Sequence, residues 1–132
     1  TVTAGGGVTL NYQASVIHVG LGYTGILKSM PLEIGGTTGP SQTKKKNIYQ
    51  LGIRFLNTIG AKYGTNPYRM EQILFRNTGS YLNRPPLPFT GDKVVMHTDN
   101  WEEQKSLVIM QESALPCNVQ LIVPYGVTSN DK

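Results

Sequence analysis

Tyr49-Gln50-Leu51-Gly52-Ile53-Arg54-Phe55 alternates apolar side chains with polar or small ones along its whole length. Successive side chains of a strand point to opposite faces, so this period of two predicts a strand with Tyr49, Leu51, Ile53 and Phe55 on one buried face. Working outward, the flanking sequence is rich in turn chemistry: Gly5-Gly6-Gly7, Gly35-Gly36-Thr37-Thr38-Gly39-Pro40, Thr65-Asn66-Pro67, Arg84-Pro85-Pro86-Leu87-Pro88 and Thr128-Ser129-Asn130-Asp131. Short β-branched or apolar runs lie between these breaks. Ser15–Val19, Val94–Thr98, Leu107–Met110 and Val119–Val123 all read as strands. The last two flank Ser113-Ala114-Leu115-Pro116, which predicts that they fold back on each other. Residues 68–76 are ambiguous: Asn66-Pro67 could start a helix carrying Met70, Ile73 and Leu74, and the same stretch could be extended. The expectation is an all-β fold, an antiparallel β-sandwich or barrel-like domain with long Gly/Pro-rich loops.

The chain has 132 residues, with 15 Gly and 8 Pro, 39% hydrophobic and 15% charged residues. That length suits one domain over residues 1–132, part of a longer protein, with 1–7 and 127–132 as terminal segments. Its apolar runs are far shorter than the roughly 20 residues that cross a bilayer as a helix, so no membrane-spanning segment is expected. A net charge of +4 raises the question of nucleic acid, but only Lys44-Lys45-Lys46 form a basic run. That run reads as a solvated loop or as a nucleic-acid contact. It follows the glycine-rich turns and leads into the long strand.

Chemical motifs are few. Gly20-Leu21-Gly22-Tyr23-Thr24-Gly25 fits the dinucleotide pattern GxGxxG, but Pro31 follows too soon for the helix whose amides would hold a pyrophosphate. The glycines read as a bend between strands. His18 and His97 lie in apolar strands, as satisfied structural histidines, and with Cys117 they match no metal-ligand spacing. The single Cys117 reads as a small packing residue with an ordinary thiol. Glu102-Glu103 beside Trp101 looks like a glycosidase pair only superficially, since adjacent residues of a strand face opposite ways. No catalytic residue, metal ligand or cofactor is expected, and the chain does not read as an enzyme. Trp101 and Phe89 are the aromatic candidates for an interface.

Four stretches together resemble the tail tubular protein B, or tail nozzle, family of short-tailed bacteriophages, in its C-terminal part. His18–Thr24 running on to Leu27-Lys28-Ser29-Met30-Pro31-Leu32-Glu33 is similar to the family's "VGLPY" strand and "TLPLE" segment. Lys44–Ile48 followed by Arg54–Gly64 resembles its basic entry to an "RLYNSxGxKxG" strand. Pro86–Asp92 is the third stretch, and Gln111–Val119 resembles "QDxPLPxTV". Gly22 stands where the family often has proline, and Ala114-Leu115-Pro116-Cys117 replaces a Pro-Leu-Pro-Leu run.

The resemblance covers about residues 8–126 and implies a structural role. Six copies would form the tapered end of a tail tube in the virion, in contact with one another, with a tail adaptor protein and transiently with phage DNA during ejection. It also implies an extended conformation for residues 68–76. A host-surface glycan-binding tail-tip module, using Trp101 and exposed tyrosines, is the alternative.

Overall fold

The structure is a computed structural model that describes residues 5–15, 17, 22–33, 39–76, 79, 86–129. Seven strands build the fold: β1 (Gly25–Lys28), β2 (Lys46–Thr58), β3 (Lys62–Asn66), β4 (Arg69–Gln72), β5 (Phe89–Met96), β6 (Val108–Gln111) and β7 (Val119–Thr128). They form two antiparallel sheets, one ordered β1-β6-β3-β4 and one ordered β5-β2-β7. The described residues contain no helix. The all-β expectation therefore holds, and the architecture is sandwich-like: Leu51, Ile53 and Phe55 of one sheet share a buried cluster with Tyr63 and Ile109 of the other.

β2 is the spine, paired with β5 on one side and β7 on the other. Its alternation is real but changes phase twice. Leu51, Ile53 and Phe55 are buried as expected, whereas Tyr49 is 48% exposed and Ile48 takes the inward place. The cause is a register shift against β7 between Ile48 and Gln50, which leaves Tyr49 as an extra residue. A bulge of this kind exchanges the two faces of everything beyond it. A second irregularity, between Phe55 and Thr58, turns Thr58 inward. Asn57 adopts a left-handed φ of 47° there, a conformation that asparagine tolerates better than most side chains. The bend is pinned from both sides. The Asn57 amide donates to Thr90 Oγ1 at 3.0 Å, and the Asn118 amide donates to Thr58 Oγ1 at 3.0 Å.

Residues 68–72 resolve toward the extended form. β3 and β4 are an antiparallel hairpin turning at Pro67-Tyr68, with Asn66 Oδ1 accepting the Tyr68 amide at 3.0 Å. This side-chain mimic of a turn explains why an apparent helix cap starts a hairpin instead. Gly64 is required by the close approach: a Cβ there would collide with the Arg69 carbonyl oxygen and press on Met70 Sδ. Ile73 and Phe75 then leave the hairpin and drop into the core, where Phe75 meets Phe55 edge-on with centroids 5.1 Å apart.

One pairing differs from expectation. β6 and β7 do not fold back on each other: β6 pairs with β1 and β3, and β7 pairs with β2 in the other sheet. The chain between them passes from one sheet to the other. Turn residues mark where a chain changes direction, but whether the next strand joins the same sheet depends on which faces are left to bury. β7 stays paired through Val127 and Thr128, so the sheet reaches two residues into the stretch read as the terminal segment.

Candidate functional site

Two regions break the usual distribution of polarity. The first is the outer face of the three-stranded sheet. Directly opposed residues in a sheet share a face, and the register gives the rows Met96-Gln50-Tyr125, Val94-Gly52-Val123 and Asp92-Arg54-Leu121. Val94, Met96, Leu121, Val123, Tyr125 and Val127 are all exposed, and the Tyr49 bulge adds another exposed aromatic ring. The ring of Tyr125 lies beside Gly52, which has no side chain of its own to interrupt the surface. The only charges in these rows are Arg54 and Asp92. They neutralise each other through a two-pronged contact, Nε to Oδ1 at 2.7 Å and the terminal nitrogen to Oδ2 at 2.9 Å. That pairing, through the hydrogen bonds and then the charge, raises the Arg54 pKa and lowers that of Asp92.

β7 makes the anomaly explicit. Its odd positions read Val119, Leu121, Val123, Tyr125, Val127 and its even positions read Gln120, Ile122, Pro124, Gly126, Thr128. By alternation the odd row is the core face, yet residues 121–127 of that row point outward while Ile122 packs on the core. The signal was present in the sequence; it shows as unusual only once the pairing with β2 fixes which row faces in.

The second region is a buried polar corner where the end of β5 and the following loop meet β3 and β4. Lys105 is fully buried. Its Nζ lies 2.5 Å from Asp99 Oδ2 and donates to the Asn100 carbonyl oxygen at 2.6 Å. Burial by itself would raise the Asp99 carboxyl. Hydrogen bonds from Lys105, Thr65 and the Asn100 amide, with the charge of Lys105, overcome that and hold it well below the usual carboxylate range.

His97 is buried beside them, with Nε2 3.4 Å from Asp99 Oδ2 and its ring edge-on to Tyr63 at 5.8 Å. Its Nδ1 has no hydrogen-bond partner, so the expected satisfied histidine is only half satisfied. The Tyr63 hydroxyl lies 2.6 Å from Glu71 Oε2 and 2.7 Å from the Met96 carbonyl oxygen, so two acceptors share one proton. Burial first, then Glu71, push that hydroxyl well above the ordinary phenol range, and it stays protonated. A cleft of about 300 Å³ opens beside the corner, lined by Thr65, Tyr68, Arg69, Met70, Glu71, His97, Thr98 and Asp99. No sequence pattern announced this corner, because nothing local marks Lys105 for burial.

The residues singled out from the sequence are dispersed. Lys45 is exposed and Lys44 half-buried, but Lys46 is buried, donating from Nζ to the Glu103 carbonyl oxygen at 3.0 Å. Backbone bonds between Lys46 and Glu102 hold it there. The run is therefore not a uniform basic loop. Phe89 is half-buried, packed on the core cluster against Phe75, with Lys93 Nζ 4.7 Å from its ring centre. Trp101 is 46% exposed on the loop after β5.

Gly25 opens a strand, not a helix, while Gly20, Leu21, His18 and most of the strand expected at Ser15–Val19 lie outside the described residues. Cys117 is half-buried and burial pushes its thiol pKa up. Among the described residues no group of three or more His, Cys, Asp or Glu side chains is placed to hold a metal ion, and no helix is long and apolar enough to cross a membrane. In comparisons with known proteins, no family model and no curated protein matches the chain.

Proposed function

We propose that this chain is a non-catalytic assembly module, a structural component of a bacteriophage tail tube or nozzle that forms part of the ring-shaped channel for DNA ejection. The observation that carries the reading is the outward-facing apolar row of β7 with its neighbours on β5. Monomeric proteins rarely expose a contiguous apolar patch of more than about 300–600 Å², and larger ones mark contact sites. The four stretches that resemble the nozzle family supply the particular assembly. In this reading the chain works by shape: neighbouring copies, six to a ring, cover one another's apolar faces, and a tail adaptor protein receives the ring. DNA passes through the lumen with only transient contact, because every phosphate neutralised by a channel lysine would add affinity and slow passage. Lys44 and Lys45 are the members of the basic run that remain available for such contact.

The test is electron microscopy of tail particles with a tag on this protein. Rings at the tail tip support the reading, and tag density elsewhere or dispersed monomers overturn it.

One observation favours a second reading, a host-surface glycan-binding module. Tyr68 is 94% exposed at the rim of the cleft that Thr65, Arg69, Glu71 and Thr98 line, an aromatic platform beside hydrogen-bonding groups. Saturable binding on a glycan array, lost in Tyr68→Ala, separates it from the first.

A further inference from the structure

The molecule carries a second apolar surface, distinct from the outer face of the three-stranded sheet. At the open edge of the sandwich, where β1 borders the start of β7, a cleft of about 280 Å³ is lined by Tyr23, Ile26, Leu27, Ile109, Cys117 and Val119, with Gly25 and Gln111 completing it. Tyr23, Ile26 and Leu27 are 60%, 57% and 49% exposed, so its outer wall is as unusual as the β7 face. Its floor is the core itself, since Ile109, Cys117 and Val119 belong to or pack on the buried cluster. Gln111 is held back from it, with Nε2 donating to the Leu115 carbonyl oxygen at 3.2 Å.

We infer that the two surfaces are the two halves of one contact between copies of this chain: the outer face of β5-β2-β7 of one copy seats on the β1-side cleft of the next, head to tail. This rests on the assembly reading above and says which surfaces meet.

Three observations select a second copy as the occupant. Val94, Met96, Leu121, Val123, Tyr125 and Val127 stand exposed together on the two outer strands of one sheet face, with the middle strand between them and Tyr49 beside them, a span that matches a folded partner better than a small ligand. Its charges are already paired with each other, Arg54 to Asp92, so no oppositely charged partner is called for. The apolar complement lies elsewhere on the same chain, on a different sheet edge. A patch and a cleft at different places make a heterologous contact, which repeats from copy to copy and closes into a ring or extends into a filament.

Edge-to-edge strand addition is the competing mode, and at the β7 edge, which borders the apolar face, Pro124 opposes it. It sits in the middle of β7, an edge strand, and lacks the N–H that a new neighbour would need.

Thiol cross-linking of the 132-residue chain tests this, because native Cys117 lies in the cleft and the sequence has no other cysteine. One preparation is the unaltered chain. The other carries Val123→Cys on the face together with Cys117→Ala. Treated with a short flexible bismaleimide, the mixture should give mixed dimers at about ten times the yield of a mixture in which the second thiol is Gln42→Cys, in an exposed turn. A chain with both Cys117 and Val123→Cys should form a ladder of dimers, trimers and higher species.

Circular dichroism of each variant confirms that it is folded. Mixed-dimer yield equal to the control overturns the inference. So does dominant joining of Val123→Cys to itself, which would mean a two-fold, face-to-face contact. Either result leaves the tail assignment to be judged by microscopy, so the two failures are distinguishable.

Discussion

The outer face of β5-β2-β7 and the corner around Lys105 violate the same rule in opposite directions. One leaves apolar side chains in water, and the other takes charges out of it. Their bookkeeping differs. In the corner the penalty is offset inside the chain: Lys105 has Asp99 and the Asn100 carbonyl oxygen, and Asp99 has Thr65 and a backbone amide as well. On the face, Val94, Met96, Leu121, Val123, Tyr125 and Val127 stay exposed, and nothing among the described residues covers them. An internally compensated anomaly holds a fold in one arrangement; an uncompensated one points outside the molecule. Mutations should therefore read as loss of stability in the corner and as loss of association on the face.

The largest expected effect is Lys105→Met. It strands the buried Asp99 carboxylate without its cation, and breaking a buried pair from one side costs about 3–5 kcal/mol. Urea unfolding at neutral pH checks it. A loss comparable to that of an ordinary surface substitution would show that the corner is hydrated and the contrast false.

Acid probes the same pair. The Asp99 carboxyl is depressed in the folded chain, so its contribution is full above the unfolded value near pH 3.9 and is lost as pH falls below that toward the folded pKa. Between pH 5 and pH 2, wild type should lose more stability than Asp99→Asn does. Parallel curves would deny the shift.

Tyr63→Phe deletes a hydroxyl and leaves two acceptors short of a donor, which should cost about 1–2 kcal/mol in the same unfolding assay. Val123→Lys is the smallest on this scale. An exposed strand position away from special features changes stability within about 0.5 kcal/mol, so the variant should unfold like wild type while failing to assemble. A large loss of stability in Val123→Lys would mean that the face is covered within the chain itself.

Much of this was readable from residue order, and the exceptions have physical causes. The buried trio Leu51, Ile53 and Phe55 follows from alternation alone, because β2 carries no extra residue from Gln50 to Phe55 and the shift against β7 between Arg54 and Phe55 is taken up on β7. Tyr49 escapes that logic, since a bulge is decided by how two distant strands fit. The partner of β7 was illegible for a similar reason: the turn after β6 reports a change of direction, not the sheet that receives the next strand. The apolar outward row was visible as a pattern in residues 119–127, but its meaning depends on knowing which row β2 presents to the core.

The polar corner as a whole had no local signal. His97 reads in sequence as a structural histidine of an apolar strand and Asp99 and Lys105 as ordinary loop residues, and Tyr63 and Glu71 join them only because the β3-β4 hairpin folds over the end of β5.

Hydroxyl-radical footprinting is the most direct test of the claim that the apolar face is an assembly surface. Met96, at 72% exposure, and Tyr125 on the face are both readily oxidised, and Tyr68 at the hairpin tip, at 94%, serves as reference. The account predicts strong labelling of all three in the chain diluted until it is dispersed and, in the proposed tail assembly, marked protection of Met96 and Tyr125 relative to Tyr68. Equal labelling of Met96 and Tyr125 in the two states would contradict it.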